Sequence, residues 1–393
     1  MKISAIICEY NPFHNGHLYA LNKIKNELNP DAVVCIMSGN FTQRGEAAVL
    51  DKYTRAKHAV SAGADLVLEL PAAFAVAPAE IFAKGAIKLL AALNAETTLC
   101  FGMESGNKTS LFKTAAVLSN ETKEFKAAFK EELSRGSSPA KAKYAALKKI
   151  GENDADGIDP ELISSPNNIL AIEYARAIIE KNVDFDVFVI ERKGADYNDE
   201  ELKKGENPSA AAIRAAIKND KIKSVKKFVP PYVYADLPEA VPNADEMIFT
   251  SLLTRDKKEL KEIFDCTEGL ENRIKVLCKD NFDLNSLLEK LSTRRYTRTR
   301  LSRIALSALL GIKKDDVLKY LKSDLYLKVL ALNAQKTELL SALSPDMPFI
   351  TRKSDAGVLK GAAKKCFELD VFAGDVYSHI TKKHQNEFAT LFI

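Results

Sequence analysis

The chain has 393 residues, of which 46% are hydrophobic and 28% are charged, and both values are typical of globular proteins. The length predicts two or three domains. The formal net charge of +4 is small, so any basic binding surface must be local. No stretch approaches the ~20 consecutive apolar residues that cross a bilayer. We therefore expect neither a membrane span nor a signal peptide.

Six cysteines are scattered along the chain, and none forms the C-x-x-C pair that is typical of zinc sites. Cys8, Cys35 and Cys100 lie in apolar runs, where a thiol packs as a small hydrophobic group. No metal-ligand set is predicted. The pattern indicates reduced thiols in a cytoplasmic protein.

Short apolar runs alternate with helical periodicity in the first hundred residues. The runs are apolar on both faces, which is typical of strands buried in a parallel sheet. The predicted strands are residues 3–8, 32–37, 66–70 and 98–101. Helical patterns separate them, over residues 17–28, 52–62 and 79–93. This order predicts an α/β fold with a doubly wound parallel sheet and right-handed crossovers.

A proline-rich stretch, residues 230–242, divides the remaining chain, because proline removes a hydrogen-bond donor and disfavours helix before it. Beyond it the pattern is mainly helical, with a short strand near 349–351. The elements expected before it are a helical insertion at about 107–150, a helix at 167–181, a strand at 185–190 and a helix capped by Ser209. The sequence therefore predicts an α/β domain at 1–228, sufficient for nucleotide binding, and a mainly α-helical domain at 245–393.

Two histidines follow the first predicted strand, in the run EYNPFHNGH that begins at Glu9. Ligands bind at the carboxyl ends of parallel strands, where helix N-termini favour anions. His14 and His17 can lie on one face of the entering turn and donate hydrogen bonds to phosphate oxygens. Gly16 permits close approach of a nucleotide. A pair of surface or metal-binding histidines is the alternative, and we predict phosphate contact.

A second polar loop, residues 38–46 (SGNFTQRGE), follows the second strand, and Lys52 and Arg55 come soon after it. These polar groups should converge on the same cleft, because the carboxyl ends of parallel strands meet at one edge of the sheet. A solvated glycine-rich loop is the alternative. Gln43 and Arg44 favour the functional interpretation, without an assigned role for either.

Weaker signals lie further along the chain. Gly102 ends the fourth strand, where the backbone could contact an adenine or form a tight turn. Asn167 opens a helix, where it could bind an adenosine or only cap the helix. Arg192 follows the fifth strand and Arg214 follows the helix start at Ser209, and both could neutralise β- and γ-phosphates.

Positions 14, 17, 209 and 214 resemble the HxGH and ISSTxIR motifs of the nucleotidyltransferase superfamily, which has a Rossmann-like fold and cleaves ATP between the α- and β-phosphates. The second motif is degraded here, since one serine stands where the superfamily often has two hydroxyl residues. A closer resemblance, to the bacterial tRNA(Met) cytidine acetate ligase family, extends from residue 9 into the helical C-terminal part. Ala47 stands where many relatives have proline. The runs that carry it are EYNPFHNGHLY, SGNFTQRGEAAVLDKYTRAKHA, GADLVLELP, FGMESG, PNNIL and RRYTRTRL.

This resemblance implies that ATP and acetate form acetyl-adenylate and pyrophosphate. The acetyl group then passes to the wobble cytidine of elongator tRNA(Met), giving N(4)-acetylcytidine. The implied ATP contacts are Ile7, Cys8, Glu9, Tyr10, Asn11, Pro12, Phe13, His14, Asn15, Gly16, His17, Leu18, Tyr19, Ala20, Gly102, Asn167 and Arg192. The groups expected to offset the repulsion between acetate and triphosphate are His14, His17, Lys52, Arg192 and Arg214, with Mg²⁺ alongside ATP.

A basic cluster, RRYTRTRLSR, lies in the helical part of the chain. Five arginines with an interleaved tyrosine suit contacts to RNA phosphates and stacking on an unpaired base. Taken alone, the run fits a solvated helix face or an interdomain ion-pair cluster better, and the resemblance favours RNA. The predicted tRNA contacts are Arg294, Arg295, Tyr296, Arg298, Arg300 and Arg303.

The sequence thus predicts an ATP-dependent acetate–tRNA ligase with neither DNA nor a membrane as partner. One alternative is a small-molecule adenylyltransferase, for which the helical part with its arginines would be unnecessary. Another is a nucleotide-binding or RNA-binding protein without turnover, against which the intact His14–His17 pair argues. The choice of acetate as the acid rests on the resemblance alone.

Overall fold

The computed structural model describes residues 1–105, 107–137, 139–151, 157–191 and 208–393. The strands are β1 (Lys2–Cys8), β2 (Ala32–Ser38), β3 (Leu66–Leu70), β4 (Glu96–Met103), β5 (Asp186–Glu191), β6 (Leu327–Leu332), β7 (Phe349–Ile350) and β8 (Leu391–Phe392).

The helices of the first part of the chain are α1 (Asn15–Leu28), α2 (Lys52–Ser61), α3 (Ala72–Ala75), α4 (Ala79–Ala91), α5 (Lys108–Ser119), α6 (Lys123–Ser134), α7 (Pro139–Gly151), α8 (Pro166–Lys181), α9 (Ala210–Lys218), α10 (Ile222–Val225) and α11 (Pro231–Asp236). Those that follow are α12 (Asp245–Thr254), α13 (Lys257–Glu262), α14 (Leu270–Leu277), α15 (Leu284–Leu291), α16 (Arg298–Leu310), α17 (Lys314–Lys322), α18 (Leu339–Ala342) and α19 (Gly361–Thr381). None of the described helices combines the length and the apolar composition that crossing a membrane requires.

The strands form one sheet in the order β5-β4-β1-β2-β3-β6-β7, with β8 also paired to β6. Strands β1 to β5 run parallel to one another. All residues of β2 and β3 are buried, as expected for parallel strands covered on both faces. The five strands predicted before the proline-rich stretch are present, with ends that differ by at most two residues from the prediction.

Helices cover both faces of the sheet. One face packs against α1, α2 and α9, through side chains such as Leu21, Ala56 and Ile213. The other packs against α4 and α8, through side chains such as Ile87 and Ile172. The predicted doubly wound α/β architecture is therefore confirmed, and α5 to α7 occupy the predicted helical insertion.

The C-terminal part of the chain completes this sheet. Strand β6 runs antiparallel to β3, with Leu332 opposite Leu66, and β7 and β8 pair in turn with β6. Residues 245–393 are mainly helical, and one buried cluster contains side chains from both sides of the 228–245 stretch, such as Leu89 and Leu327. The division into two domains stays a prediction. Strand β6 is not predicted from the sequence, because its run, LKVLAL, lacks the alternation of apolar and polar residues that would distinguish a strand from a buried helix segment.

Candidate active site

A cleft of about 290 Å³ opens at the carboxyl edge of the parallel strands, next to the point between β1 and β4 where the strand order reverses. Such switch points are where open α/β sheets bind ligands. The cleft brings together predicted residues that lie far apart in the chain. Those that line it are Ile7, Cys8, Glu9, Tyr10, Asn11, His14, Gly16, His17, Tyr19, Ala20, Gly102, Asn167 and Arg214.

The two histidines form the N-terminal capping box of α1. The Nδ1 atom of His14 accepts a hydrogen bond from Gly16 N at 3.0 Å, and the Nδ1 of His17 accepts one from His14 N at 3.2 Å. A nitrogen that accepts carries no proton, so each neutral ring holds its proton on Nε2. The stacked rings, with centroids 3.6 Å apart, are therefore arranged as hydrogen-bond donors.

This arrangement argues against a metal-binding pair. A histidine that binds a metal through Nε2 donates from its Nδ1, usually to a carboxylate or carbonyl. Here the backbone amides of His14 and Gly16 already donate to both Nδ1 atoms. The alternative of a histidine metal site is thus not supported by the hydrogen bonds.

Buried aromatic rings hold the histidines in place. The ring centroid of His17 lies 4.9 Å from that of Tyr10 and 5.5 Å from that of Phe13. Asn15 donates from its backbone to Phe228 O at 2.9 Å, so it fixes α1 against the chain after α10. Four members of the predicted ATP-binding span do not line the cleft: Pro12, Phe13, Asn15 and Leu18.

The loop after β2 reaches the cleft, as expected from the sheet topology. Gln43 and Arg44 line it, and Gln43 N donates to the Glu9 carboxylate at 2.7 Å. Burial raises the pKa of the Glu9 carboxyl above its ordinary value. Arg214 donates from Nη1 to Asn11 O at 2.9 Å, so its guanidinium is held at the histidine loop.

Helix α8 forms a wall of the cleft. Asn167, Leu170 and Tyr174 lie on it with spacings of three and four residues, which places them on one face of the helix. Gly102, at the end of β4, lies in the same cleft, and Asn167 donates to the Glu104 carboxylate. Of these three residues only Asn167 is predicted from the sequence, although the helical spacing also indicates Leu170 and Tyr174.

Comparison with known proteins identifies the family. A family described as HIGH Nucleotidyl Transferase matches residues 1–390. The chain is 37% identical over 389 residues to the tRNA(Met) cytidine acetate ligase of Clostridium perfringens, covering 97% of this chain and 96% of the relative. It is 38% identical over 387 residues to that of Caldicellulosiruptor saccharolyticus, covering 96% and 94%. The chain belongs to the tRNA(Met) cytidine acetate ligase family.

Solved structures agree with this assignment. The chain superposes on apo TmcAL of Thermotoga maritima with a TM-score of 0.93 at 29% identity, over the whole of both chains. TmcAL bound with alpha-thio ATP matches with a TM-score of 0.89 at 28% identity, again over both whole chains. The similarity therefore includes a nucleotide-bound member of the ligase family.

Lys52 does not face the cleft, contrary to the sequence prediction. Its side chain is 1% exposed, and its Nζ lies 2.9 Å from Glu69 and 2.5 Å from Glu387. Lys328 contacts the same carboxylates, at 3.1 and 2.9 Å. Although burial favours a neutral carboxyl, the two lysines hold the pKa of Glu69 below its ordinary value. An ammonium enclosed by two carboxylates is not placed to contact a triphosphate, so this position does not support the catalytic role predicted for Lys52.

Arg55 joins the two polar loops of this ligase-family site. Its guanidinium is fully buried and donates to four backbone carbonyls, those of Leu50 at 2.9 Å, Glu9 at 2.6 Å, Ser38 at 3.1 Å and Gly39. The sequence predicts Arg55 near the cleft but assigns it no role. A buried arginine with several carbonyl partners fixes the ends of β1 and β2 relative to each other.

The arginine cluster divides into two groups, and α16 begins within it. Arg294, Arg295 and Arg298 are exposed. Arg300 pairs with Asp265 at 2.9 Å, and Arg303 lies half-buried against the loop after β2. The RNA interpretation and the ion-pair interpretation therefore fit different members of the run.

Two further contacts define the cluster. The Tyr296 hydroxyl donates to Glu268 at 3.0 Å and the side chain is 9% exposed, so the predicted stacking of Tyr296 on an unpaired base does not fit its position. Gly45 has φ +77, and a Cβ there would lie 2.5 Å from Arg303 N, so only glycine lets this loop meet α16.

Arg192 lies outside the described residues, and its predicted ATP contact stays a prediction.

Proposed function

We propose that this chain is a tRNA(Met) cytidine acetate ligase. It forms acetyl-adenylate and pyrophosphate from acetate and ATP, and transfers the acetyl group to the exocyclic amine of the wobble cytidine of elongator tRNA(Met). The observation that carries the proposal is the His14–His17 capping box, which opens α1 at the cleft of a chain that matches this family over almost its full length. We infer that the enzyme acts in the cytoplasm, where the tRNA substrate is found.

The first half-reaction needs charge neutralisation and positioning. Acetate is already an anion near neutral pH, so no general base is required. His14 and His17 present Nε2–H groups at the N-terminus of α1, where the helix dipole also favours negative charge. Arg214 adds a guanidinium on the same cleft. These groups offset the repulsion between acetate and triphosphate, and a preorganised donor of this kind contributes about 10²–10³-fold in rate.

Mg²⁺ would enter this site together with ATP. The described part of the chain brings no three or more candidate ligands together for a metal ion. That fits Mg²⁺, which in nucleotide sites is held mostly by phosphate oxygens, water and one or two carboxylates. The exposed carboxylate of Glu191 lines the cleft and would be its protein ligand. The ion would supply charge neutralisation at the phosphates.

The second half-reaction moves one proton. The cytidine amine attacks the acetyl carbonyl carbon, the bond from that carbon to the phosphate oxygen breaks, and AMP leaves with the electron pair. The amine nitrogen then releases a proton. The histidines present Nε2–H and not a lone pair, whereas Glu9 lines the cleft with a carboxyl whose pKa is raised by burial. Glu9 and Glu191 are the carboxyl groups that line the described cleft, and we assign this proton to Glu9 because Glu191 is assigned to Mg²⁺.

The exposed arginines serve the tRNA. Arg294 and Arg298 have exposed side chains, and Arg295 pairs with Glu268 at the surface, at 2.6 Å. Solvent screens a pair at the surface, so it contributes little to stability and an RNA phosphate can replace Glu268 at little cost. Arg300 and Arg303 fix the cluster to Asp265 and to the loop after β2. We assign them to positioning this surface.

Pyrophosphate release tests the proposal and separates its rivals. Release should require acetate, and N(4)-acetylcytidine should appear only when elongator tRNA(Met) is added. A small-molecule adenylyltransferase would release pyrophosphate with another acceptor and would make no acetylcytidine. A binding protein without turnover would release none in any combination.

Histidine variants test the site itself. His17→Ala should abolish acetate-dependent pyrophosphate release. His14→Asn, which keeps an N-cap side chain but removes the Nε2–H donor, should lose at least about ten-fold in rate. His379→Ala, on the exposed surface of α19, is the matched control. Near-wild-type release by both cleft variants, with unchanged melting temperatures, would refute the proposed site.

A further inference from the structure

A lysine-rich surface lies between the end of α9 and the start of α11. Residues 218–227 contain five lysines against one acidic residue, Asp220. The local net charge of this ten-residue stretch, +4, equals the formal net charge of the whole chain. All five side chains are exposed, and they are Lys218, Lys221, Lys223, Lys226 and Lys227.

These ammonium groups lack counterions within the described residues. None of the five lies within 4.0 Å of a described carboxylate, whereas the nearby cations Lys57 and Arg214 pair with Asp236 at 3.6 Å and with Glu46 at 3.3 Å. Two of the ammonium groups lie over aromatic rings, Lys226 over Tyr234 and Lys227 over Phe228. Like charges gathered without counterions repel each other and cost stability. A surface that keeps them is suited to a polyanion that supplies the missing negative charge.

The lysine surface adjoins the active site directly. Asn15, which stands between the catalytic His14 and Gly16, donates from Nδ2 to Lys227 O at 3.1 Å and from its backbone to Phe228 O at 2.9 Å. Helix α9 begins at the cleft with Ala210 and Ala211 and ends at Lys218. The lysines therefore flank the cleft on the side of α1 and α9.

The exposed arginines flank another wall of the same cleft. Helix α16 starts beside them and meets the loop after β2, where Arg303 donates to Gln43 O at 3.4 Å. Gln43 itself lines the cleft. Two basic surfaces, one of lysines and one of arginines, thus lie next to different walls of one nucleotide cleft.

We propose that the lysine surface of residues 218–227 binds the phosphate backbone of the tRNA stem that continues from the loop carrying the target cytidine. The inference rests on the proposed function. A cytidine must leave its loop to enter a cleft, so the adjoining stem has to lie across the cleft's rim. Its paired strands present rows of phosphates, and lysines, as flexible point charges, suit contacts that carry no sequence information.

The test uses the full-length chain with three lysines of the surface replaced, Lys218→Gln, Lys221→Gln and Lys223→Gln. A matched control carries the same charge change on exposed lysines of α8 and α17 that are not ion-paired within the described residues, Lys181→Gln, Lys319→Gln and Lys322→Gln. Helix α8 ends where the chain turns back into β5, at the sheet edge opposite the cleft. We measure the Kd for unmodified elongator tRNA(Met) at several salt concentrations, and acetate-dependent ATP–pyrophosphate exchange without tRNA.

The lysine variant should bind tRNA roughly ten-fold more weakly than wild type near 0.15 M salt. The slope of log K against log salt concentration should become smaller in magnitude by about 2–3. Exchange should stay within two-fold of wild type, since no cleft residue is changed. The control variant should match wild type in all three measurements. A Kd and a salt slope equal to those of the control would overturn the proposal, as would loss of exchange with tRNA binding retained.

Failure of the proposed function gives a different result. A wild-type chain that binds tRNA but forms no acetylcytidine would refute the ligase assignment, while the binding comparison would still decide the role of the lysines. A wild-type chain that does not bind tRNA would overturn both.

Discussion

Replacement of Lys52 by methionine tests whether this residue is structural or catalytic. Lys52 belongs to a cluster of four buried charges, in which Lys52 and Lys328 both contact the carboxylates of Glu69 and Glu387. Each of the four side chains is at most 4% exposed. Methionine keeps the length of the side chain but removes the charge, so Lys328 alone would face both carboxylates.

The expected loss of stability is large. Removing one partner of a buried ion pair costs about 3–5 kcal/mol, because the remaining charge stays desolvated and loses its attraction. Glu387 is the carboxylate most affected, since its Oε2 contacts Lys52 at 2.5 Å and its Oε1 is buried with no hydrogen-bond partner in the described structure. Adding Glu387→Gln to Lys52→Met removes the surplus charge. The double variant should regain part of the loss, with a coupling energy of about 1–3 kcal/mol.

Urea unfolding of the wild type, both single variants and the double variant measures these free energies. Acetate-dependent pyrophosphate exchange, measured on folded protein at low temperature, should stay near the wild-type rate in Lys52→Met, because Nζ does not face the cleft. Unchanged stability together with loss of exchange would refute the structural role and restore the catalytic one that the sequence suggested.

Two further predictions concern pH and chain length. Burial, with the nearby charge of Glu69, raises the pKa of Asp370 to about 7. The pKa of an aspartate in the unfolded chain is about 4. The free energy of unfolding therefore falls as the pH rises from about 4 to 7, and it is constant above pH 7. In urea unfolding, the free energy of unfolding of Asp370→Asn minus that of the wild type should therefore increase between pH 4.5 and pH 8. A difference that does not change with pH would contradict this. A fragment of residues 1–228 should not fold into an ATP-binding unit, because it lacks β6 and the carboxylate of Glu387. Cooperative melting with an ATP-dependent rise in Tm would show otherwise.

The features that the sequence predicted well are local. Apolar runs such as that of β2 are buried on both faces, so composition alone indicates a central strand. The histidine motif follows a strand and opens a helix, and its position at the cleft follows from the topology of parallel strands. His14 and His17 also form their capping box within four residues, without help from distant parts of the chain.

The features that it missed depend on distant partners. Lys52 follows the second polar loop, so proximity along the chain suggested the cleft. Its actual partners are Glu69, 17 residues away, and Glu387, 335 residues away, and no local pattern indicates either. The division of the arginine cluster has the same origin, because Asp265 lies 35 residues from Arg300.

These long-range contacts also change the role of the C-terminal part of the chain. The loop after β2, which carries Gln43 into the cleft, is held by α19 and the segment that follows it. The Tyr377 hydroxyl donates to Ala48 O at 2.8 Å, and Asn40 Nδ2 donates to Gln385 Oε1 at 2.9 Å. The start of α16 packs against the same loop through Arg303. A loop fixed at three points by the C-terminal part cannot keep its shape without it, so the region that carries the exposed arginines also builds the nucleotide site.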